Sequence, residues 1–328
     1  MLSYRLGPES DPFYYIFSDR EWLADYDPAR EFPFWLNLEP TNVCQLDCLF
    51  CSRRLSTRPL GYMGDEVLEK VVREAGRWPG AAIRFTGWGE PLLHPRLLEF
   101  AGRVKEEGIK LKIYTNGLAL TEKLMEGFLR VGLDELQFSQ QGITPRQYEF
   151  NRRGARSDVM RAKALMAARM RGAAPLPFLS VLTSVLEDEL REGDSQAYRD
   201  EWLRSVDKVA IDLTNLNFVR EAPDAKEHLA RQSAGLTRGR CVDVFLALEI
   251  KYDGAIEFCG QDANASPSHA IGRVGEMGLR EAFHSPRMEA QRDLVGRALG
   301  HAQSPVCQNC YHNTRKYDLF KEALGDPR

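Results

Sequence analysis

Cys44, Cys48 and Cys51 stand in the segment LNLEPTNVCQLDCLFCSRR with the spacing C-x3-C-x2-C. Cys241, Cys259, Cys307 and Cys310 follow as C-x17-C-x47-C-x2-C, so the seven cysteines divide into three and four with none left over. An odd total behind an N-terminus (MLSYRLGPESDPFYY) that has no signal-peptide pattern argues for metal or catalytic use and against a disulfide framework. A structural zinc takes four ligands, whereas the first group offers three and has no histidine near it in sequence. Three thiolates on a 4Fe–4S cube leave one iron open to a cofactor or substrate. For the group of four, zinc and a fully ligated iron–sulfur cluster both fit the spacing. Isolated thiols buried as small hydrophobes are the plain alternative.

Loops of this kind need rigid elements to aim them. FWLNLEP (34–40) reads as a buried strand leading directly into the first cysteine loop, and an apolar stripe over 65–77 reads as a helix. The pattern continues as strand 81–87, helix 95–108, strand 109–115, helix 121–132 and strand 133–139, then strands 176–184 and 207–213, each behind helical sequence. Thr121 is placed to cap a helix start, and Gly108 and Gly132 to end helices. Six β/α units imply parallel pairing with right-handed crossovers and a barrel open on one side. In such barrels chemistry gathers at the C-terminal ends of the strands. The polar stretch 220–240 reads as a linker; FLALEIKYDGAIEFC then reads as a hairpin turning at Asp253-Gly254, and 277–298 as helical. The aromatics of the first 33 residues, Phe13 to Phe32, are expected to pack against the barrel.

C-x3-C-x2-C with Phe50 before its last cysteine resembles the radical S-adenosylmethionine (radical SAM) signature. FTGWGEPLLHP (85–95) is similar to that superfamily's glycine–glutamate–proline turn. IYTNG (113–117) and LQFSQQGITPRQYEFNRRG (136–154) extend the likeness, and YDGAIEFC and PVCQNC resemble a SPASM or shorter twitch auxiliary-cluster domain. The resemblance covers about residues 35 to 315. It implies an α/β fold: a partial (β/α)6 barrel with a small C-terminal α+β iron–sulfur domain. The expected divisions are an extension over 1–33, a barrel over 34–219, a linker over 220–240 and the auxiliary-cluster domain over 241–328.

Carried over residue by residue, the resemblance makes Cys44, Cys48 and Cys51 ligands of a catalytic 4Fe–4S cluster whose open iron binds S-adenosyl-L-methionine. It makes Cys241, Cys259, Cys307 and Cys310 ligands of one auxiliary 4Fe–4S cluster, a spacing similar to that of the butirosin-pathway aminocyclitol dehydrogenase type. Phe50 is expected beside the adenine, Gly89 at a close backbone approach, and Glu90 near the methionine ammonium. Thr115 and Asn116, with Gly117, are turn residues or cofactor contacts. Ser139 is the ribose candidate. Gln140 and Gln141 stand where many relatives carry an acid, and Arg152, with Arg153 beside it, is the candidate for the methionine carboxylate.

The implied chemistry is reductive cleavage of S-adenosylmethionine and hydrogen abstraction from a substrate. All seven cysteines are assigned, so none remains to return a hydrogen atom, although Tyr14, Tyr148 or Tyr252 could do so in an epimerase. The expectation is therefore net oxidation of a small polar molecule such as an aminocyclitol or sugar, with the auxiliary cluster as electron acceptor. Peptide modification, redox-neutral epimerisation or rearrangement, and a non-enzymatic electron carrier are the alternatives. A base is not identifiable; Asp212 and Asp262 are candidates. A flavodoxin- or ferredoxin-type electron donor is implied. The net charge of −3, from 44 basic and 47 acidic residues, gives no electrostatic reason to expect nucleic acid. No apolar run is long enough to span a bilayer, and a cytoplasmic location is expected.

Overall fold

The computed structural model describes residues 3–4, 31–185, 189, 194–213, 243–296, 303 and 307, with backbone alone at 3–4, 212–213 and 296. The strands are β1 (Ser3–Tyr4), β2 (Trp35–Leu38), β3 (Asp47–Cys48), β4 (Ala82–Phe85), β5 (Lys110–Thr115) and β6 (Glu135–Gln141). They continue as β7 (Arg152–Arg153), β8 (Phe178–Val185), β9 (Lys208–Leu213), β10 (Ala247–Ile250), β11 (Ala255–Glu257) and β12 (Ala270–Arg273). The helices are α1 (Asp65–Ala75), α2 (Leu97–Glu106), α3 (Glu122–Val131), α4 (Pro145–Asn151), α5 (Ser157–Arg171) and α6 (Ser195–Trp202). After them come α7 (Asp243–Leu246), α8 (Leu279–Phe283) and α9 (Pro286–Gly296).

Ten strands form one sheet in the order β1-β9-β8-β6-β5-β4-β2-β10-β11-β12. From β9 to β10 every pairing is parallel. The six expected strands are all present as consecutive neighbours, which is the partial barrel the alternation of strand and helix dictates. Side chains alternate across each strand. One set, including Leu36, Phe85, Ile113, Phe138 and Val181, is buried. It packs in a single core with Leu68 and Val71 of α1, Phe100 of α2, Phe128 of α3 and Met160 of α5. The alternate set is largely polar. Asn37, Arg84, Lys112 and Glu135 lie in one register row. Glu135 Oε1 takes Lys112 Nζ at 2.9 Å, Ser180 Oγ at 2.5 Å and Lys208 Nζ at 3.5 Å, all buried. The inner wall of the barrel is thus charged, and the apolar core lies between strands and helices.

Local signals behave as their chemistry requires. Thr121 Oγ1 accepts from Leu124 N at 3.2 Å, and Gly132 ends α3 in the left-handed region at φ 69°. The hairpin turns where expected, between β10 and β11, with Gly254 at φ 86°. Phe32 packs inward and stacks on Trp78 with ring centroids 5.1 Å apart; the aromatics from Phe13 to Tyr26 lie outside the described residues. The helical stretch expected over 277–298 is two helices, because Pro286 disfavours a helical Ser285 and then starts α9, whose cap is the Ser285 hydroxyl accepting from Met288 N. The 220–240 linker lies outside the described residues. Beyond it, β10 opens no separate sheet but pairs in parallel with β2, covering the backbone edge that β2 would otherwise expose.

One buried ion pair ties this arrangement to the loops above it. Glu39, directly after β2, is 2% exposed at its side chain, and Arg58 is 7% exposed. Arg58 Nη2 lies 2.6 Å from Glu39 Oε2 and Nη1 3.3 Å from Oε1. The same carboxylate accepts from the amides of Trp88 and Tyr252, and the Arg58 guanidinium lies 4.9 Å above the Tyr252 ring. Arg58→Ala leaves that carboxylate buried without its counter-charge. The expected cost is about 3–5 kcal/mol, read by urea denaturation of the cluster-free chain; an unchanged midpoint would contradict it.

Candidate active site

The loop from Val43 to Leu55 leaves the C-terminal end of β2 and carries the first three cysteines. Its middle is held by a two-residue antiparallel ladder between β3 and β7, in which Cys48 pairs with Arg152. Leu49 N also donates to Asn151 O at 2.9 Å. Two sequence segments a hundred residues apart are therefore joined at the central cysteine.

The glycine–glutamate–proline turn is bound into the same loop. Glu90 N donates to Val43 O at 2.8 Å. At Gly89 an added Cβ would overlap the Thr41 carbonyl and come within 2.8 Å of Asn42 Cα, so the two backbones cross where only glycine fits. Glu90 is 2% exposed. Its Oε1 accepts from Leu92 N at 3.1 Å and Thr115 Oγ1 at 2.6 Å, and its Oε2 from Asn116 N at 2.8 Å. Burial raises its carboxyl above the usual range, opposed by those three donors. Three of its lone-pair positions are used within the chain, leaving at most one for an ammonium group.

Asn116 reaches the cysteine loop directly: its Oδ1 accepts from Gln45 Nε2 at 3.1 Å, and its Nδ2 lies 3.9 Å from Cys44 Sγ. Thr115 turns back to Glu90 and to Gly117 N, so its hydroxyl organises the turn. On β6 the alternation separates the two glutamines. Gln140 faces the helices, accepting from Tyr198 and donating toward Met160 of α5. Ser139 and Gln141 share the other face, where Gln141 Oε1 lies 3.5 Å from Arg152 Nη2. Arg152 is buried, with its guanidinium carbon 5.6 Å from the Phe50 ring and 6.0 Å from the Tyr148 ring. Phe50, Gln141 and Arg152 are thus brought together at the cysteine loop, while Ser139 is half-buried one step below.

Burial pushes all three thiols up, Cys48 to about 11, with the Arg152 charge opposing it. As free groups they stay neutral; a bound cationic iron core is what would hold them as thiolates. Among the described residues no trio of His, Cys, Asp or Glu converges on the position of a single metal ion. Three thiols spread along one loop suit a multinuclear cluster with one open iron. Arg152 Nε and the Tyr148 hydroxyl are both buried beside this loop with no hydrogen-bond partner among the described residues. Donors of that kind fit an anionic cofactor.

Of the four C-terminal cysteines, Cys241 and Cys310 lie outside the described residues. Cys259 Sγ accepts from Gln261 N at 3.4 Å, and buried Cys307 accepts from Gln291 Nε2 at 3.4 Å. The loop after Cys259 packs against the segment after Cys51. Ser56 Oγ donates to Ala263 O at 2.9 Å, Thr57 N to Asn264 Oδ1 at 2.7 Å, and Trp88 Nε1 to Asp262 O at 3.0 Å. Asp262 is not a free base. Against the effect of burial, hydrogen bonds from His269 and from the Asn264 and Ser266 amides hold its carboxyl well below the usual range. The Asp212 side chain lies outside the described residues. Sequence reading passed over Glu39, Arg58 and Trp88; the signal for Glu39 was an acid directly after a mostly apolar strand, where burial demands a partner.

Gly89→Ala is expected to lower the thermal midpoint of the cluster-free chain and the iron retained on reconstitution. Gly102→Ala, whose Cβ inside α2 would come no closer than 4.0 Å to Val131, is expected to add about 0.5–1 kcal/mol of stability. A Gly89→Ala chain as stable as the parent would mean that the two backbones do not cross tightly.

Residues 38–186 match the radical SAM superfamily profile and residues 241–311 the SPASM iron-sulfur cluster-binding domain. Among curated proteins, the chain is 34% identical over 106 residues to a tungsten-containing aldehyde ferredoxin oxidoreductase cofactor-modifying protein of Pyrococcus furiosus, covering 32% of this chain and 30% of that one. It is 32% identical over 146 residues to the PqqA peptide cyclase of Granulibacter bethesdensis, covering 44% of this chain and 38% of that one. It is 31% identical over 122 residues to the dTDP-4-amino-4,6-dideoxy-D-glucose ammonia-lyase of Streptomyces venezuelae, covering 36% and 25%. The chain thus matches well under half the length of each. The fold is shared with BtrN in complex with AdoMet and 2-DOIA, at TM-score 0.60 and 19% identity over 84% of this chain and 92% of that one. It is also shared with Streptococcus suis SuiB bound to precursor peptide SuiA, at TM-score 0.61 and 15% identity over 80% and 67%. With the cysteine loop, its glycine–glutamate–proline turn and its partial barrel in place, the chain belongs to the radical SAM superfamily and carries a C-terminal SPASM domain.

Proposed function

We propose that the chain cleaves S-adenosylmethionine reductively and takes hydrogen from a small polar substrate, an aminocyclitol or sugar, in a net two-electron oxidation. In this reading residues 34–219 form the catalytic barrel and 241–328 the auxiliary-cluster domain. Cys44, Cys48 and Cys51 hold one 4Fe–4S cluster, and Cys241, Cys259, Cys307 and Cys310 hold a second. When bound, the first cluster supplies one electron to S-adenosylmethionine, which yields methionine and the 5′-deoxyadenosyl radical that abstracts hydrogen.

The chain's own residues supply orientation. Arg152, held between the Phe50 and Tyr148 rings, offers a fixed cation to the methionine carboxylate. Glu90, fastened by three donors, keeps one lone pair for the methionine ammonium. Ser139 and Gln141 face the interior at the level of a ribose. Asn116 holds the Cys44 end of the loop in place. The substrate must give up one hydrogen atom to the radical, one proton to solvent or a base, and one electron to an acceptor.

The observation that carries the oxidative reading is the packing of the Cys259 loop against the segment that follows Cys51. An acceptor held by that loop would be tied to the segment that bears the first cysteines and would supply a route for the second electron. The fold likeness to BtrN, of the butirosin-pathway dehydrogenase type, supports it. Peptide modification is the second reading, favoured by the 32% identity to a peptide cyclase. Epimerisation or another redox-neutral reaction would need a hydrogen donor or a rearranging radical. A flavodoxin- or ferredoxin-type protein is the proposed reductant.

Reconstituted protein is expected to hold about eight irons per chain. Incubated anaerobically with S-adenosylmethionine and dithionite, it is expected to form 5′-deoxyadenosine, and Cys48→Ala to abolish this. An aminocyclitol or sugar should stimulate turnover and lose the mass of two hydrogens. Cys259→Ala should keep cofactor cleavage and lose the oxidised product. Stimulation by short peptides alone would favour the second reading, and stoichiometric zinc would exclude both.

A further inference from the structure

The proposed function leaves the hydroxyl of Tyr148 without an assigned partner. Tyr148 lies on α4, four residues before Arg152, and is 2% exposed. Its ring is fixed by the helix and by the neighbouring Arg152 guanidinium, 6.0 Å from the ring centroid. Its oxygen is buried and makes no hydrogen bond among the described residues. Buried hydroxyls in folded proteins are paired, because an unpaired one forfeits the hydrogen bonds it had in water.

The surroundings narrow the choice of partner. The charges that act on the phenol are those of Arg152, Cys48, Glu149 and Glu90. Arg152 carries only donors and cannot accept. Glu90 is held by Leu92, Thr115 and Asn116, its remaining lone pair being the one set aside above for the methionine ammonium, and Glu149 accepts from Ser157 on the exposed side of α4. Cys48 remains, joined to Arg152 by the β3–β7 ladder.

We propose that the Tyr148 hydroxyl donates a hydrogen bond to the sulfur at Cys48 when the cluster is bound there, and so tunes the potential of that cluster. This rests on reading the three-cysteine loop as the cluster site. A donor to a cluster sulfur favours the reduced, more negative state and raises the potential. The donor is also one that waits: without the cluster it is a buried polar group with no partner, a stability defect kept for a ligand.

Tyr148→Phe keeps the ring and deletes only the oxygen. In the reconstituted full chain, the midpoint potential of the S-adenosylmethionine-binding cluster, followed by its electron paramagnetic resonance signal without S-adenosylmethionine, is expected to move to more negative values. The thermal midpoint of the cluster-free variant is expected to equal or exceed that of the parent. An unchanged potential with full iron overturns the proposal. So does a variant whose potential is unchanged but whose S-adenosylmethionine dissociation constant rises, since the hydroxyl would then serve the cofactor carboxylate. A cluster-free variant that unfolds at lower temperature also overturns it, because the hydroxyl would then have a partner within the chain. Absence of iron from the three-cysteine loop of the parent protein would instead defeat the underlying reading.

Discussion

The Glu39–Arg58 pair is the constraint on which the site depends. Two charges withdrawn from water must face each other with good geometry, or the fold loses more than their attraction returns. Glu39 satisfies this by a two-pronged contact with Arg58 and by accepting two backbone amides, at Trp88 and Tyr252. Those partners belong to the segment after the first cysteines, the glycine–glutamate–proline turn, and the hairpin that leads to Cys259. Three stretches of chain thus converge on one carboxylate at the end of the first barrel strand. Gly87 and Gly61 make room for it: an added Cβ on Gly87 would stand 2.7 Å from Glu39 Cγ, and one on Gly61 would run into the Tyr252 ring. On the proposed reading, clusters at the two cysteine sets are assembled reproducibly only if these stretches hold fixed relative positions.

Around the pair the electrostatics divide by depth. The inner wall of the barrel sets Lys112 and Lys208 on one carboxylate, Glu135. Higher up, three thiols are kept neutral by burial, with Arg152 and Arg53 nearby. Arg152 and Arg53 beside neutral thiols are cations that negatively charged ligands can meet. Thiolates, cluster sulfides and a cofactor carboxylate are such ligands. Lys251 is likewise buried beside Glu257 at 3.0 Å, at the end of β11 and two residues before Cys259.

What the sequence made legible was whatever depends on spacing along the chain. Apolar alternation located each barrel strand, Thr121 and Gly132 marked both ends of a helix, and Asp253-Gly254 marked the hairpin. Cysteine spacing separated the two sets before any contact was known. What stayed hidden depends on partners distant in sequence. Glu39 and Arg58 look like ordinary charges until the fold buries them together. The junction of β10 with β2 joins residues 212 positions apart, as in Glu249 with Asn37, and no local pattern encodes it. The paired glutamines show a subtler limit. A strand sends neighbours to opposite faces, but only the packing of Tyr198 shows that Gln140 takes the helix side and Gln141 the interior.

The contact between the two cysteine regions has a further property. On the side of the Cys259 loop it is largely made by backbone: the carbonyls of Asp262 and Ala263 receive Trp88 and Ser56, and Lys251 Nζ reaches the same Asp262 carbonyl at 2.9 Å. The Asn264 side chain of that loop also enters, accepting from Thr57 and donating to the Leu55 carbonyl. The Asp262 carboxylate, meanwhile, folds the loop on itself through the Asn264 and Ser266 amides. A junction read from backbone carbonyls constrains the path of the chain and leaves most side chains on it free to vary. The geometry between the two cysteine sets can therefore be preserved while the residues that meet a substrate change.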